Sequence, residues 1–488
     1  MREEILRMEL ILCENGEEQE LNYLSMQIFR GEIYGVLCLE QHGIDKLVEL
    51  ICWNRPIQSG QVFFQEKMVN SVEESVGTRN RVTGIGRQSR LIDELSLADN
   101  LFVIREGFKK NIIPERVIQA EARRMLQEWG IDLSPRMLVK QMGTYHRMVT
   151  ELMKAVVAGD VLIVLWEISD LLSTEELPRF HQLIRRLADD GHTFLYIYSH
   201  HEVLRMVCDR LAIFKGGMVQ KVFTDRNTIR EQITKVFARH PYEKYLQIGQ
   251  ERDGKIEGPA VLSIQDLSWR HIRDLSLKIR KGESVLLLDK SNTILEEFVE
   301  ILTGEERPSR GELLLKNGKI GERKHIALIQ QNAIQTMLFP EMSYLENLCF
   351  PLGEKIPGFW QHKQLRKSVL KEYREEIGSV IEASDLYGLP RKELYTLIYY
   401  RYLIAKPDLI VCMKPLSDMD MYLRSHVMEL LAKLRSSGIA VLILSTELYD
   451  TLYIADRLIQ VENGKVVGEY AKENFEEARM MQRELFPD

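Results

Sequence analysis

Two stretches of this 488-residue chain have the residue types to hold a phosphate, GEIYGVLCLEQHG from Gly31 and GESVLLLDKSNT from Gly282. Each runs from a Gly-Glu turn through an apolar strand into a polar loop. A helix after such a loop completes the setting in which glycines let backbone N–H groups surround phosphate oxygens while a lysine reaches the terminal phosphate. Other apolar runs end in groups that could do chemistry: VLIVLW leads into Glu167, and FLYIY into Ser199-His200. His200 and His201 suggest a metal pair, but neighbours along a strand point to opposite faces, so one shared ion is not expected.

Positioning these loops takes a repeated scaffold. Gly31 and Gly282 lie 251 positions apart, and each is followed 29 positions later by a second glycine, Gly60 and Gly311. VLIVLWEISD ending at Asp170 is echoed 248 positions on by DLIVCMKPLSD ending at Asp418. LYIYSHHEV is echoed by LILSTELYD, with Ser199 and Ser445 separated by 246, and KGGMV at 215 by ENGKV at 462. Five landmarks in one order, at nearly one offset, describe two homologous halves. Within each half, continuous apolar runs such as LIVLW, FLYIY, LIVCM and VLILS alternate with amphipathic segments such as PRFHQLIRRLADDG and RSHVMELLAKLRSSG. This reads as buried parallel strands covered by helices, an α/β fold. The expected domains are residues 1–222 and 259–488. Residues 223–258 form a charge-rich linker that closes on Gly258-Pro259.

Composition excludes several classes. With 45% hydrophobic residues, 28% charged and 14 prolines, the chain is neither disordered nor collagenous. No run of about 18 uncharged apolar residues is present to span a bilayer, and MREEILRMELILCENGEEQE lacks the apolar stretch of a secretory leader. The 65 basic and 72 acidic residues give a net charge of −7, which offers no overall basic field to nucleic acid. Six cysteines, at 13, 38, 52, 208, 349 and 412, lack CxxC spacing and mostly sit in apolar runs. Free thiols there pack as small hydrophobes, and a reducing, cytoplasmic setting is expected.

Together with LSLADN ending at Asn100, the strand ending in Glu167 and Ser199-His200, the strand and loop order resembles the tandem ATP-binding subunit of carbohydrate ABC importers, of the ribose, galactose and xylose type. The resemblance covers almost the whole chain. In that family the switch-strand serine is followed by His in the first half and by Glu in the second, as in Ser199-His200 and Ser445-Thr446-Glu447 here. An Asp at the seventh position of the turn after the Walker B strand marks only the second half, as Ser173 and Asp420 reproduce. The resemblance implies, in each half, a mostly parallel core sheet with helices, an antiparallel β-subdomain near the start and a helical subdomain before the signature segment.

Carried over position by position, it also implies that the catalytic motifs are mostly replaced. In the first phosphate loop Cys38 stands for the opening glycine, Gly43 remains as the last, Ile44 replaces the lysine and Asp45 the magnesium-holding serine. In the second, Asp289 replaces the opening glycine, Thr293-Ile294 the final Ala-Gly, Leu295 the lysine and Glu296-Glu297 the Ser-Thr pair. The Walker B Asp-Glu becomes Trp166-Glu167 in one half and Met413-Lys414, before Pro415, in the other. In the signature segments, MGTYHR from Met142 and LPRKE from Leu389, Gly143 and Pro390 replace the serines, while Tyr145 and Arg391-Lys392 occupy glycine positions. Gln88 fits the Q-loop glutamine, its counterpart being open among Gln330, Gln331 and Gln335. Glu167 fits a relic base, His200 the switch histidine, and Trp269 an aromatic that could stack on adenine. Lys46 could replace the missing lysine only with a loop insertion, which the constant 29-residue spacing does not provide.

A carboxylate about 5 Å from an ATP phosphate costs roughly 3 kcal/mol at an effective dielectric near 20. Binding of MgATP weaker than about 1 mM is therefore expected at both sites, the second being the poorer. The expected function is that of a degenerate, non-hydrolysing ABC-type subunit with a regulatory or structural role in a carbohydrate import system. It would sit at the inner face of the cell membrane, docked on permease transmembrane subunits or on an active ATP-binding paralogue. Two alternatives stay open: an active subunit energising sugar import, with ATP and magnesium as cofactors, and a free cytosolic adaptor or sensor. No bound metal, nucleic acid or direct membrane insertion is expected.

Overall fold

The computed structural model describes residues 3–15, 18–73, 80–86, 89–102, 114–166, 168, 172, 176–224, 258–316, 325–352, 359–417, 419–446, 448 and 450–475. The chain divides into two compact units, residues 1–236 and 237–488. The expected linker at 223–258 lies almost entirely outside the described residues.

In the first unit, β1 (Glu4–Asn15), β2 (Glu18–Phe29), β4 (Ser59–Phe64) and β5 (Lys67–Ser71) form an antiparallel sheet in the order β2-β1-β4-β5. The second sheet contains β3 (Ile33–Cys38), β6 (Val82–Ile85), β7 (Leu162–Trp166), β8 (Thr193–Tyr198), β9 (Arg210–Lys215) and β10 (Met218–Phe223), ordered β10-β9-β3-β8-β7-β6. All its pairs are parallel except β9 with β10. Every residue of β3 and of β8 is buried, which is why these strands read as unbroken apolar runs rather than alternating ones. The helices are α1 (Ile44–Trp53), α2 (Leu97–Phe102), α3 (Glu115–Trp129), α4 (Thr144–Ala158), α5 (Glu176–Asp189) and α6 (His201–Val207).

The second unit repeats the plan. β11 (Ala260–Trp269), β12 (Ile272–Arg280) and β14 (Arg310–Leu315) form an antiparallel sheet in the order β12-β11-β14. β13 (Ser284–Asp289), β15 (Ile326–Ile329), β16 (Leu409–Met413), β17 (Ala440–Ser445), β18 (Arg457–Glu462) and β19 (Lys465–Ala471) form the core sheet, ordered β15-β16-β17-β13-β18-β19. Read from its other edge, this is the order of the first unit, strand for strand, with β19 again the antiparallel edge. Its helices include α7 (Leu295–Thr303), α8 (Ala333–Met337), α9 (Tyr344–Cys349), α10 (Phe359–Ile377), α11 (Arg391–Ala405) and α12 (Met421–Ser436).

Several repeated residues hold this architecture. In the Gly-Glu turns, buried Glu32 accepts from the Phe29 N–H at 2.7 Å and pairs with Arg210 at 3.1 Å. Glu283 accepts from the Arg280 N–H at 2.6 Å and pairs with Arg457. The preceding aspartates, Asp209 and Asp456, each accept from the first amide of the central strand, Ile33 and Ser284, at 2.9 Å. Gly60 and Gly311 have φ of +94° and +95° beside bulges of β1 and β11. A Cβ there would stand 2.6 Å from the carbonyl oxygens of Leu10 and Gln265 respectively. Close backbone approach therefore explains the equal spacing of this glycine pair in the two halves.

Candidate functional site

In the first loop, β3 ends at Cys38 and α1 starts at Ile44, leaving five residues to turn the chain. The Cys38 thiol donates to the Glu40 carbonyl oxygen at 2.7 Å, and a Glu40 carboxylate oxygen accepts from the Gly216 N–H at 3.3 Å. His42 Nε2 lies 2.7 Å from the carbonyl oxygen of Gln19 on β2. Gly43 takes φ +81°, and a Cβ on it would overlap the Glu20 carbonyl oxygen and stand 3.2 Å from its carbon. The surviving glycine of this loop is thus pressed against its own β2 backbone. Ile44, at the lysine position, is 2% exposed and packs in the core with Leu47 and Ile51. Lys46 turns to Glu49 and Glu20, at 3.6 and 3.9 Å. Partial desolvation, followed by the neighbouring Glu20, raises Asp45 above the ordinary aspartate pKa.

The second loop is closed differently. Asp289, the last residue of β13, is fully buried. Its carboxylate accepts from the amides of Ser291 at 3.2 Å, Thr293 at 2.6 Å and Ile294 at 2.7 Å. Burial raises its pKa, while these amides and then Lys414 draw it back. Leu295, at the lysine position, is 2% exposed in the core with Phe298 and Leu302. Glu297 accepts from the His271 amide at 3.0 Å and faces His271 Nδ1 at 2.6 Å. The sequence reading placed the Asp289 and Glu297 carboxylates where they would repel nucleotide phosphate. Asp289 keeps that placement, seated on the loop's own amides; the placement of Glu297 is corrected, because it turns to the β11–β12 hairpin. Glu296 alone of the three is exposed.

The remaining site residues are scattered. Gln88, Glu167, Ser173 and Glu447 lie outside the described residues. Next to Gln88, the Arg90 amide donates to Glu151 of α4 at 2.9 Å, and burial, the largest influence, raises the Glu151 pKa. His200 is buried directly before α6, its ring 5.2 Å from that of Tyr198. The strand has ended by then and His201 opens a helix, so the opposite-faces argument against a shared metal rested on the wrong element. Among the described residues no group of three or more His, Cys, Asp or Glu is placed to hold a metal ion. Trp269 packs against the core of the second unit, with the Arg270 guanidinium 3.9 Å from its ring centroid. One ring face is thereby taken by a cation. At the signature positions Gly143 precedes α4 and Pro390 precedes α11. Proline has no N–H to offer a ligand.

Sequence reading missed a second internal match. Asn100 holds the segment before α2 by accepting from the Ile92 N–H at 2.8 Å and donating to the Ile92 carbonyl at 3.0 Å. Asn347, 247 positions later, does the same with Phe339 at 3.0 and 2.8 Å. Buried Arg401 then donates to the Asn347 and Met337 carbonyls at 2.7 and 2.6 Å and to Asn347 Oδ1 at 2.9 Å. The signal was available in MSYLEN beside LSLADN.

No family model matches the chain. It is 21% identical over 492 residues to the ribose import ATP-binding protein RbsA of Caldanaerobacter subterraneus subsp. tengcongensis, covering 98% of both chains. Over 475 residues it is 23% identical to the arabinose import ATP-binding protein AraG of Vibrio parahaemolyticus, covering 94% of this chain and 92% of that one. A putative ribose/galactose/methyl galactoside import ATP-binding protein of Halalkalibacterium halodurans is 21% identical over 498 residues, covering 98% and 93%. The homologues are thus sugar import ATP-binding proteins aligned along nearly the full chain. Among solved structures, the archaeal ribosome recycling factor aABCE1, crystallised with the ribosomal stalk protein aP1, matches with a TM-score of 0.64 at 14% identity. It covers 97% of this chain and 92% of that one, a likeness of fold alone.

Proposed function

We propose that this protein is an ABC-type nucleotide-binding subunit of a carbohydrate import system that has given up hydrolysis and serves it in a structural or regulatory role. The observation that carries the reading is the fate of the two lysine positions. Ile44 and Leu295 are apolar, 2% exposed and built into the cores beneath their loops. Neither loop presents a cation to the β- and γ-phosphates, and phosphoryl transfer depends on that charge stabilisation. The full-length similarity to sugar import ATP-binding proteins supports the transport context.

In this reading residues 1–222 and 259–488 are the two nucleotide-binding domains, joined by 223–258. The partners are permease transmembrane subunits or an active ATP-binding paralogue at the cytoplasmic face of the membrane. No described helix is long and apolar enough to cross a membrane, so attachment would come through such a partner. Glu167, His200, Gln88, Gly43 and Trp269 are relics of position in this scheme. The test compares ATP turnover by purified full-length protein with that of Glu167→Gln, with and without magnesium. Equal background rates are expected. Turnover that needs both Glu167 and magnesium would establish the active subunit instead. Failure to copurify with permease subunits or a paralogue would favour a free adaptor.

A further inference from the structure

In the second unit, β13 delivers its last residue into the loop that precedes α7, and that residue is an aspartate. Its side chain is short, fully buried and aimed back over the turn. One carboxylate oxygen, Oδ2, takes the amides of Thr293 and Ile294, and Oδ1 takes that of Ser291. Ile294 has no side chain able to cap the helix, so the amides at the head of α7 depend on an acceptor five residues earlier in the chain. Amides converging on one anion just before a helix are the arrangement by which such loops hold phosphate.

The rest of the loop is fastened around this contact. The Lys290 ammonium meets Glu462 at 2.6 Å, and its amide donates to the Val461 carbonyl at 3.1 Å. Ser291 Oγ accepts from the Asn463 amide at 3.0 Å. The first unit has no counterpart at the matching position. There Cys38 is a donor, and its thiol is spent on the Glu40 carbonyl.

We propose that Asp289 is a built-in substitute for a nucleotide phosphate: its carboxylate fills the amide cradle of the second loop, shuts it to external phosphate and keeps it in a ligand-bound shape without nucleotide. This rests on the proposed reading of the protein as a subunit that has given up hydrolysis. ATP hydrolysis by the protein would sink that reading, whereas the following measurements decide the fate of Asp289 without reference to turnover.

The experiment is thermal unfolding of full-length wild type, Asp289→Ala and Asp289→Asn, in inorganic phosphate from zero to about 20 mM with chloride balancing ionic strength. Wild type should not respond to phosphate beyond the common effect of salt. Asp289→Ala should melt lower by about 5 °C or more and regain at least half of that loss, saturably, as phosphate enters the vacated cradle. Asp289→Asn keeps one acceptor oxygen and should lose less and respond less. The proposal is overturned if Asp289→Ala melts like wild type, if phosphate does not restore it, or if wild type gains as much from phosphate as the variant does. Should Asp289→Ala fail to fold, amide hydrogen exchange of wild type decides. Without nucleotide, the Thr293 and Ile294 amides should be protected at least 100-fold, and exchange at the rate of an open loop would overturn the proposal.

Discussion

Replacing Gly43 with alanine separates a glycine kept for a ligand from one kept for the fold. The residue sits at φ +81°, where a side chain costs roughly 1–2 kcal/mol. The new Cβ would also overlap the Glu20 carbonyl oxygen and stand 3.2 Å from its carbon and 3.4 Å from Leu21 Cδ2. The β2 backbone has little room to retreat. Leu21 is paired with Cys13 of β1, the Gln19 carbonyl is engaged by His42, and the Asn22 amide donates to the Gly217 carbonyl at 2.9 Å. Overpacking of this kind costs about 1–3 kcal/mol more. A total of about 2–5 kcal/mol lowers the melting temperature of a unit this size by roughly 4–20 °C. Urea and thermal unfolding of the full-length variant, each with and without about 5 mM MgATP, should give the same loss in both conditions. Calorimetry should find wild-type affinity weaker than about 1 mM. A Gly43→Ala variant as stable as wild type that had lost a micromolar MgATP site would refute the reasoning, because Gly43 would then face a phosphate rather than β2.

Two further perturbations test the packing. Arg401→Ala removes three hydrogen bonds from a buried guanidinium to the Asn347 and Met337 oxygens and should cost the second unit about 3–5 kcal/mol in chemical denaturation; Arg401→Lys keeps a charge but cannot span the fork, so it should recover only part, and a loss below about 1 kcal/mol for Arg401→Ala would contradict the role assigned to Arg401. His181 is buried against Tyr196, its Nε2 3.2 Å from the hydroxyl, and burial lowers its pKa from 6.5 to about 3. Because the unfolded chain takes up that proton first, His181 removes stability as pH falls below 6.5 towards 3, by about 1.4 kcal/mol per unit. Stability measured at pH 7.5 and 5.5 should fall less in His181→Asn than in wild type, and parallel falls would show that His181 is not the group responsible.

The sheets were legible because buried parallel strands must be apolar on both faces. LIVLW, FLYIY, LIVCM and VLILS each fall on a core strand, and the nearly constant offset of the repeat carried the succession of elements from one unit to the other. The loops were legible only as places. That Cys38, Asp289, Ile44 and Leu295 replace the phosphate-loop residues can be read from alignment, but where their side chains turn depends on what lies across the fold. Asp289 reads as a repulsive charge, but what holds that charge in the loop shows only once the converging amides are seen. Gly43 reads as a phosphate residue until Glu20, brought in by β2, is found against it. Asn347 could have been found from the Ser and Asn that MSYLEN and LSLADN share at one spacing, but the hydrogen bonds that make the match matter run to Ile92 and Phe339, outside those letters.

The two loops are closed by unrelated sets of contacts. One is pressed onto β2 and spends a thiol on a carbonyl; the other supplies a carboxylate to its amides. Yet the residues that hold the scaffold are identical at equivalent positions: Glu32 and Glu283, Asp209 with Arg210 and Asp456 with Arg457, Asn100 and Asn347. Each of these pairs makes the same local contacts in its own unit. The two loops, by contrast, carry different residues at matching positions and close into different, well-bonded arrangements. Under the proposed function, a requirement acting on the fold of both units rather than on turnover accounts for that division. Docking onto a partner, as in the proposed structural or regulatory role, would impose such a requirement.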